Sequence, residues 1–284
     1  MSDHSYEILD LLAKYDNNVE AALEKENSPV CLYAFSPLRE NLFEWVELEK
    51  GARVLQIGSD YGSYTGILSE KAGEVVVLDD RDENLEVNRL RHGRRGNVAY
   101  AAGNLLSGDP SSFREYKASA GRTEKGEELF DRPFDYVFMA GVFDRYKKEE
   151  AKPLLQKAAG MLKPGGKLFA AAENEAGVRY WMGADRLSGS FLEVEYRELF
   201  NALKEQFGGE FTMYYPLPDY RYPAVIYSDE YLPSPGEISN ISARLDGPGL
   251  RLGNEEEAMA KACQNGIFPK FANSFLGMYR RGQE

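Results

Sequence analysis

The run Val54-Leu55-Gln56-Ile57-Gly58-Ser59-Asp60-Tyr61-Gly62 constrains the fold of this chain more than any other stretch. Four residues of strand character lead into Gly58, where the missing Cβ permits a tight turn, and Gly62 lets backbone approach a ligand closely. The following Ser63-Tyr64-Thr65-Gly66-Ile67-Leu68 has helical spacing, so the turn aims free N–H groups at whatever it binds. A buried strand, a glycine turn and a helix in this order predict a nucleotide-like cofactor before they predict a reaction.

The 284 residues, 43% of them hydrophobic, are enough for one large α/β domain with decorated ends. No apolar run approaches the roughly 20 residues of a membrane span. The start, Met1 to Glu7, lacks the basic and apolar segments of a signal peptide, so the expectation is a cytoplasmic protein without membrane insertion. Acidic residues outnumber basic ones 46 to 34, which opposes attraction to phosphate backbones and argues against nucleic acid as a partner. Arg89, Arg91, His92, Arg94 and Arg95 form a local basic patch, read as a solvated helix end. The chain has two histidines, and its two cysteines, Cys31 and Cys263, have no metal-like spacing, so no metal site is expected. Oligomeric state is left open.

Apolar residues at helical intervals from Tyr6 to about Leu23, then Ser36-Pro37 opening a second helix, predict a helical cap over residues 1–50. From Arg53 the pattern alternates: strand 53–57, helix 62–71, strand 74–79, helix 82–92, strand 97–101, strand 134–139, helix 149–162 and strand 167–173. Such alternation predicts a parallel sheet with helices on both faces. The interval 108–133, with Ser111, Ser112, Ser119, Gly121 and Gly126, reads as a surface excursion carrying one short helix. A helix over 193–207 precedes two apolar runs around Pro216, Pro218 and Pro223, which predict a hairpin. The core is therefore drawn as 51–231, with 232–284 packed on it as an extension containing a loop-rich stretch, a helix near 254–264 and a strand at 274–280.

Asp79 lies 21 residues beyond Gly58, the separation expected of a ribose-binding acid in a dinucleotide fold, yet Gly58, Gly62 and Gly66 do not supply the close G-x-G-x-x-G spacing. Pyrophosphate binding, and with it a nicotinamide-dependent oxidoreductase, is disfavoured. The order of motifs instead resembles the class I S-adenosylmethionine-dependent methyltransferases over roughly residues 51–228. It is carried by Val54 to Gly62, Val75-Val76-Val77-Leu78-Asp79-Asp80, Ala102-Gly103-Asn104-Leu105, Phe134-Asp135-Tyr136-Val137-Phe138-Met139 and Met161-Leu162-Lys163-Pro164-Gly165-Gly166-Lys167-Leu168. The resemblance implies a Rossmann-like seven-stranded α/β sheet whose last strand is antiparallel, matched to the hairpin at 211–228. It implies that Gly58 and Gly62 frame the methionine part of S-adenosyl-L-methionine, that Asp79 binds the ribose diol and that Asn104 lies at the adenine edge. Ser59, Asp60, Asp80, Leu105, Ala140 and Gly141 complete the expected cofactor-binding set. Three positions depart from the family pattern: Gln56 stands at a commonly acidic position, Asp60 replaces the middle glycine, and Asn104 replaces a common aspartate. Asp60 either restores the negative charge that Gln56 lacks or merely tolerates an unusual turn.

Transfer of a sulfonium methyl needs alignment of the acceptor and, for a hydroxyl, a nearby base. Asp144 and Glu173, at the carboxyl ends of strands, are the candidate bases; each has a structural alternative, helix capping for Asp144 and loop bonding for Glu173. Arg179, Tyr180 and Trp181 are the candidate acceptor-binding trio. Tyr214, Tyr215, Tyr220, Tyr222, Tyr227 and Tyr231 either wall an acceptor site or fill core and surface. Several segments, among them Leu32 to Asn41, Ala172 to Ala184, Tyr214 to Tyr220 and Phe271 to Leu276, resemble a bacterial methyltransferase subgroup linked to cell-surface glycan assembly. The expected function is methyl transfer to a small-molecule or glycan-related acceptor, at oxygen, with the region around Tyr33 and Arg39 covering the cofactor. The alternative is a noncatalytic cofactor-binding or interaction protein on the same scaffold, motivated by Gln56, Asp60 and Asn104.

Overall fold

The computed structural model describes residues 4–117, 121–122, 126–185, 189–238 and 252–283. Met1, Ser2 and Asp3, Ser119 of the expected excursion, and residues 239–251 of the expected loop-rich stretch lie outside them. In chain order the strands are β1 Arg53–Ile57, β2 Glu74–Asp79, β3 Val98–Ala102, β4 Arg114–Lys117, β5 Gly121–Arg122, β6 Phe134–Met139, β7 Leu162–Glu173, β8 Glu210–Leu217, β9 Val225–Ser228 and β10 Ser274–Arg280. They join in the order β5-β4-β3-β2-β1-β6-β7-β10-β8-β9, the two-residue β5 pairing with β4.

The five strands β3, β2, β1, β6 and β7 are parallel, and the chain reverses direction across the sheet at β1, which neighbours both β2 and β6. That reversal opens a crevice at the carboxyl ends of β1 and β6. Successive residues of a strand face opposite sides, so Leu55, Ile57, Val76 and Leu78 pack into one core, while Val54, Val75 and Val77 pack into the other. Both faces are covered, which is why these strands read as continuous apolar runs. Helices Ala151–Gly160 and Glu193–Phe207 cover the first face, and Thr65–Lys71 and Asn41–Glu44 the second.

The sheet is wider than the seven strands expected, and its inner antiparallel strand is β10. The hairpin at 211–228 exists as β8 and β9, but β10 lies between β7 and β8, antiparallel to both. The sheet thus runs through both sides of the boundary drawn at 231/232. Apolar pattern identifies a strand without naming its neighbours, which is why Ser274–Arg280 was recognisable as a strand but not as this one. The single helix expected from Tyr6 to Leu23 is two, Ser5–Lys14 and Val19–Lys25, because Asp16 and Asn17 are left-handed (φ 51° and 60°) and Asn18 caps the second by accepting from the Ala21 amide at 2.9 Å. The excursion carries strands as well as short helical turns, with β4 extending the sheet beside β3. No helix among the described residues is long and apolar enough to cross a membrane.

The N-terminal helices have a small core of their own. Ile8, Leu12, Ala22, Cys31, Ala34 and Phe35 pack together with Val87 of helix Asp82–His92 and with Tyr61 of the glycine turn. The cap therefore grips the turn directly.

Candidate active site

The turn after β1 departs from ordinary backbone at four of its five residues, Ser59 alone being right-handed. Gly58 has φ +81°, and a Cβ there would stand 2.8 Å from Val142 Cγ2; Gly62 has φ +80°, with His92 and Asn88 within 3.3 Å of its missing Cβ. Between them Asp60 and Tyr61 are also left-handed, at φ 44° and 56°. For a bulky residue such as Tyr61 this is a strained state that the surroundings must enforce. Tyr61 is enforced by burial of its ring in the cap core and by Arg91, whose Nη1 donates to the Tyr61 and Ala34 carbonyls.

Gln56 lies under the turn. Its Nε2 donates to the carbonyls of Gly58 at 3.1 Å and Ser59 at 3.2 Å, while its Oε1 accepts from the Thr65 hydroxyl at 2.7 Å. A carboxylate has no proton for those carbonyls, so the neutral amide at this position follows from the turn's conformation. His92 supports the other end, its ring nitrogen 2.8 Å from the Gly62 carbonyl. Burial, with Arg91 adding to it, pushes His92 down to about 3. The basic patch read as a solvated helix end is thus partly internal: Arg91 and His92 face the turn, and burial pushes Arg91 down to about 10.

Asp60 does not stand free to offset Gln56. Arg39, fully buried, donates through Nη2 to Asp60 Oδ2 at 2.5 Å, and the Tyr33 hydroxyl donates to Asp60 Oδ1 at 3.1 Å. The Arg39 guanidinium lies 4.0 Å from the Tyr33 ring centroid and also reaches Tyr64 Oη at 3.1 Å.

At the end of β2, Asp79 is buried. Its Oδ2 accepts from the Ser59 amide at 2.7 Å, and its Oδ1 from the Arg81 amide at 3.0 Å and Arg145 Nη1 at 2.9 Å. Burial pushes this carboxyl up, but Arg145 and the two amides outweigh it and hold the pKa below the ordinary value. Asp80 Oδ1 takes the same Arg145 nitrogen at 3.0 Å, and its Oδ2 the Asn104 amide at 2.9 Å. Asn104 is otherwise spent on a local turn, its Oδ1 accepting from the Leu106 and Ser107 amides, and Leu105 is in the core.

These elements enclose a cleft of about 520 Å³, part of it open to solvent. Of the expected residues it brings together Gly58, Asp60, Asp79, Ala140, Gly141 and Asp144, and adds Tyr33, Tyr61, Arg81, Asn84 and Arg145. Ser59, Gly62, Asp80, Asn104 and Leu105 stand behind or beside this lining. Burial pushes the Asp144 carboxyl up, with Arg221 pulling the other way.

Glu173, Arg179 and Tyr180 belong instead to a second charge cluster with Asp219 and Arg221. Glu173 Oε1 accepts from Arg221 at 2.7 Å and its Oε2 from the Tyr180 hydroxyl at 2.8 Å. Arg179 pairs with Asp219, whose Oδ1 also caps the Arg221 amide at 2.8 Å. Burial pushes the Glu173 carboxyl up against the pull of Arg221 and Arg179. Trp181 is exposed and donates to the Ala176 carbonyl at 3.1 Å. Among the tyrosines, Tyr215, Tyr220 and Tyr227 are buried and Tyr231 is exposed. Sequence reasoning missed Arg145, Arg81 and Asn84 at the cleft. The only sign of Arg145 was a cation beside Asp144 just past the end of β6.

Residues 55–170 match the family described as Methyltransferase domain. The matched segment is less than half of the chain and is similar to a methyltransferase domain. The group that the sequence resemblance implies for the cleft is S-adenosyl-L-methionine. The residues fit that group: Gly58 and Gly141 (φ +67°) bring bare backbone to the cleft, and Asp79 presents a carboxylate where the crevice opens. Phosphoethanolamine N-methyltransferase 1 of Arabidopsis thaliana is 25% identical over 147 residues, 52% of this chain and 24% of that protein. The match thus spans about a quarter of the curated relative's length. Among solved structures, Haemonchus contortus phosphoethanolamine N-methyltransferase 1 superposes at TM-score 0.53 with 12% identity, covering 98% of this chain and 49% of that one. The [4+2]-cyclase SpnF superposes at 0.51 with 16% identity, covering 98% and 95%. These likenesses show the fold of the methyltransferase domain; the reaction has to be argued from the site.

Proposed function

We propose that this chain transfers a methyl group from S-adenosyl-L-methionine to a small-molecule acceptor bound at the Asp144 end of the cleft. The observation that carries this is the convergence of Gly58, Asp79, Gly141 and Asp144 on one cleft at the carboxyl ends of β1, β2 and β6. The cofactor, when bound, supplies an electrophilic sulfonium methyl. Asp79 accepts from the ribose hydroxyls, and the glycine turn with Ala140 and Gly141 gives the methionyl part room against bare backbone. Asp144 orients the acceptor and takes its proton, a role favoured by burial that raises its pKa. Glu173, both oxygens engaged, holds the wall through Arg221 and Tyr180.

The subgroup resemblance supports a glycan-related acceptor attacked through oxygen, in a bacterial cytoplasm. The curated relative is named for an amine acceptor, so amines belong in the same screen. The test is calorimetry with S-adenosylhomocysteine and NAD, followed by methyl incorporation across hydroxyl and amine acceptors. Binding of S-adenosylhomocysteine alone is expected. Replacing Asp144 by Asn should lower kcat by about 10²–10⁴-fold with cofactor affinity kept. No binding of S-adenosylhomocysteine sinks the proposal at its first step.

A further inference from the structure

Asp79 has a place for a ribose diol that this chain already fills. The Ser59 amide and, at 3.3 Å, Asn84 Nδ2 donate to its Oδ2, and the Arg81 amide and Arg145 Nη1 donate to its Oδ1. The two amides belong to backbone fixed by the glycine turn and by the start of helix Asp82–His92, so neither can leave without unmaking those elements. Arg145 is different. Its side chain is 22% exposed, hangs from a single helical turn, Phe143–Arg145, and reaches Asp79 and Asp80 at 2.9 and 3.0 Å through one nitrogen. Its other amino group stands 4.0 Å from where a Cβ on Gly58 would be, so the guanidinium spans the cleft from the ribose acid to the glycine turn.

We propose that Arg145 and the ribose of the cofactor compete for Asp79, which makes Arg145 a residue that sets affinity and selectivity for the nucleoside. This rests on the cofactor reading given above. A vicinal diol donates two hydrogen bonds to one carboxylate, and the acceptor position on Oδ1 that it needs is the one the guanidinium holds. A ligand therefore binds only if its own hydrogen bonds replace a charge-assisted pair between a guanidinium and two carboxylates. The ion pair makes the competition sensitive to salt. Salt screens the partly exposed Arg145–Asp80 contact, whose side chains are 22% and 32% exposed, and so loosens the guanidinium as ionic strength rises, whereas hydrogen bonds from neutral hydroxyls do not weaken. A neutral nucleoside should therefore bind this chain more tightly at higher salt, the reverse of ordinary electrostatic recruitment.

The experiment is titration calorimetry of S-adenosylhomocysteine and of adenosine into the full chain, into Arg145→Gln and into Arg145→Lys, at about 0.05 M and about 0.5 M salt. Arg145→Gln should bind both ligands about tenfold more tightly than the parent, and Arg145→Lys, which keeps the charge, should stay near the parent. Adenosine affinity should rise with salt in the parent and stay flat in Arg145→Gln. A residue that only braces the turn would give weaker binding in Arg145→Gln and no salt effect on adenosine, and either result overturns the proposal. Should Arg145→Gln not fold, the salt response of adenosine on the parent decides alone. Binding by both proteins with Arg145→Gln no tighter overturns this inference and leaves the cofactor reading standing; no binding by either overturns both.

Discussion

Lowering the pH from 7 to 5 should destabilise this protein through one residue, His92. Its ring sits behind the glycine turn, 2.8 Å from the Gly62 carbonyl, with Arg91 beside it. Burial, then Arg91, push its pKa from 6.5 down to about 3, and the bond to Gly62 offsets this only in part. The sign follows from linkage. The folded chain refuses a proton that the unfolded chain accepts below about pH 6.5, so the stability His92 contributes is complete above that value and is lost as pH falls toward 3. At pH 5 the unfolded imidazole is almost fully protonated and the folded one is not, which amounts to about 2 kcal/mol relative to pH 7. Asp144 and Glu173 work in the opposite sense, because burial raises their folded pKa values, and so partly mask the effect in the parent chain. His92→Gln removes the titration and keeps a donor for the Gly62 carbonyl. Urea unfolding followed by circular dichroism, at both pH values on both proteins, isolates the term, since the carboxylates cancel in the difference. The parent should lose about 2 kcal/mol more than His92→Gln between pH 7 and pH 5. Equal losses in the two proteins would refute the assignment of a buried neutral imidazole behind the turn.

Two substitutions probe the same turn from other sides. Gln56→Glu sets a carboxylate against the carbonyls of Gly58 and Ser59 and should cost about 1–3 kcal/mol in denaturant unfolding near neutral pH, with recovery in acid as the carboxyl gains a proton to donate. Arg39→Met leaves Asp60 buried without its cation and should cost about 3–5 kcal/mol, much of it regained in Arg39→Met with Asp60→Asn; a double-mutant cycle showing additivity would contradict the pairing.

What the sequence made legible was local. Val54 to Gly62 could be read because a strand, a missing Cβ and a helix start are each written within a few residues, and Asp79 because a strand end fixes where its last side chain points. What it hid was partnership over distance. Nothing near Ser274 says that the strand there slots between residues 162–173 and 210–217, and nothing near Asp60 names Arg39, 21 positions earlier. Asn104 shows the converse. Its exchange for aspartate looked like a change at the cofactor, yet its oxygen is spent on amides two and three residues ahead, a short-range pattern readable as a turn.

Gln56 and Asp60, together with Tyr61, are one structural exchange rather than two separate lapses from a family pattern. With glycine absent at 60, the turn keeps its left-handed course through two residues that have side chains, and each side chain must find a place. Tyr61 finds it in the apolar core of the N-terminal cap, and Asp60 finds it on Arg39 and Tyr33 of the same cap. The carbonyls that this path turns inward then require a donor from below, which an acid at 56 cannot give and Gln56 does. The charge of Asp60 is thus engaged by the buried guanidinium of Arg39 rather than left to offset the neutral Gln56. The consequence is that the cap and the glycine turn are coupled: an element that in sequence looks like an appendage supplies the ion pair that holds Asp60 and the apolar socket that holds Tyr61.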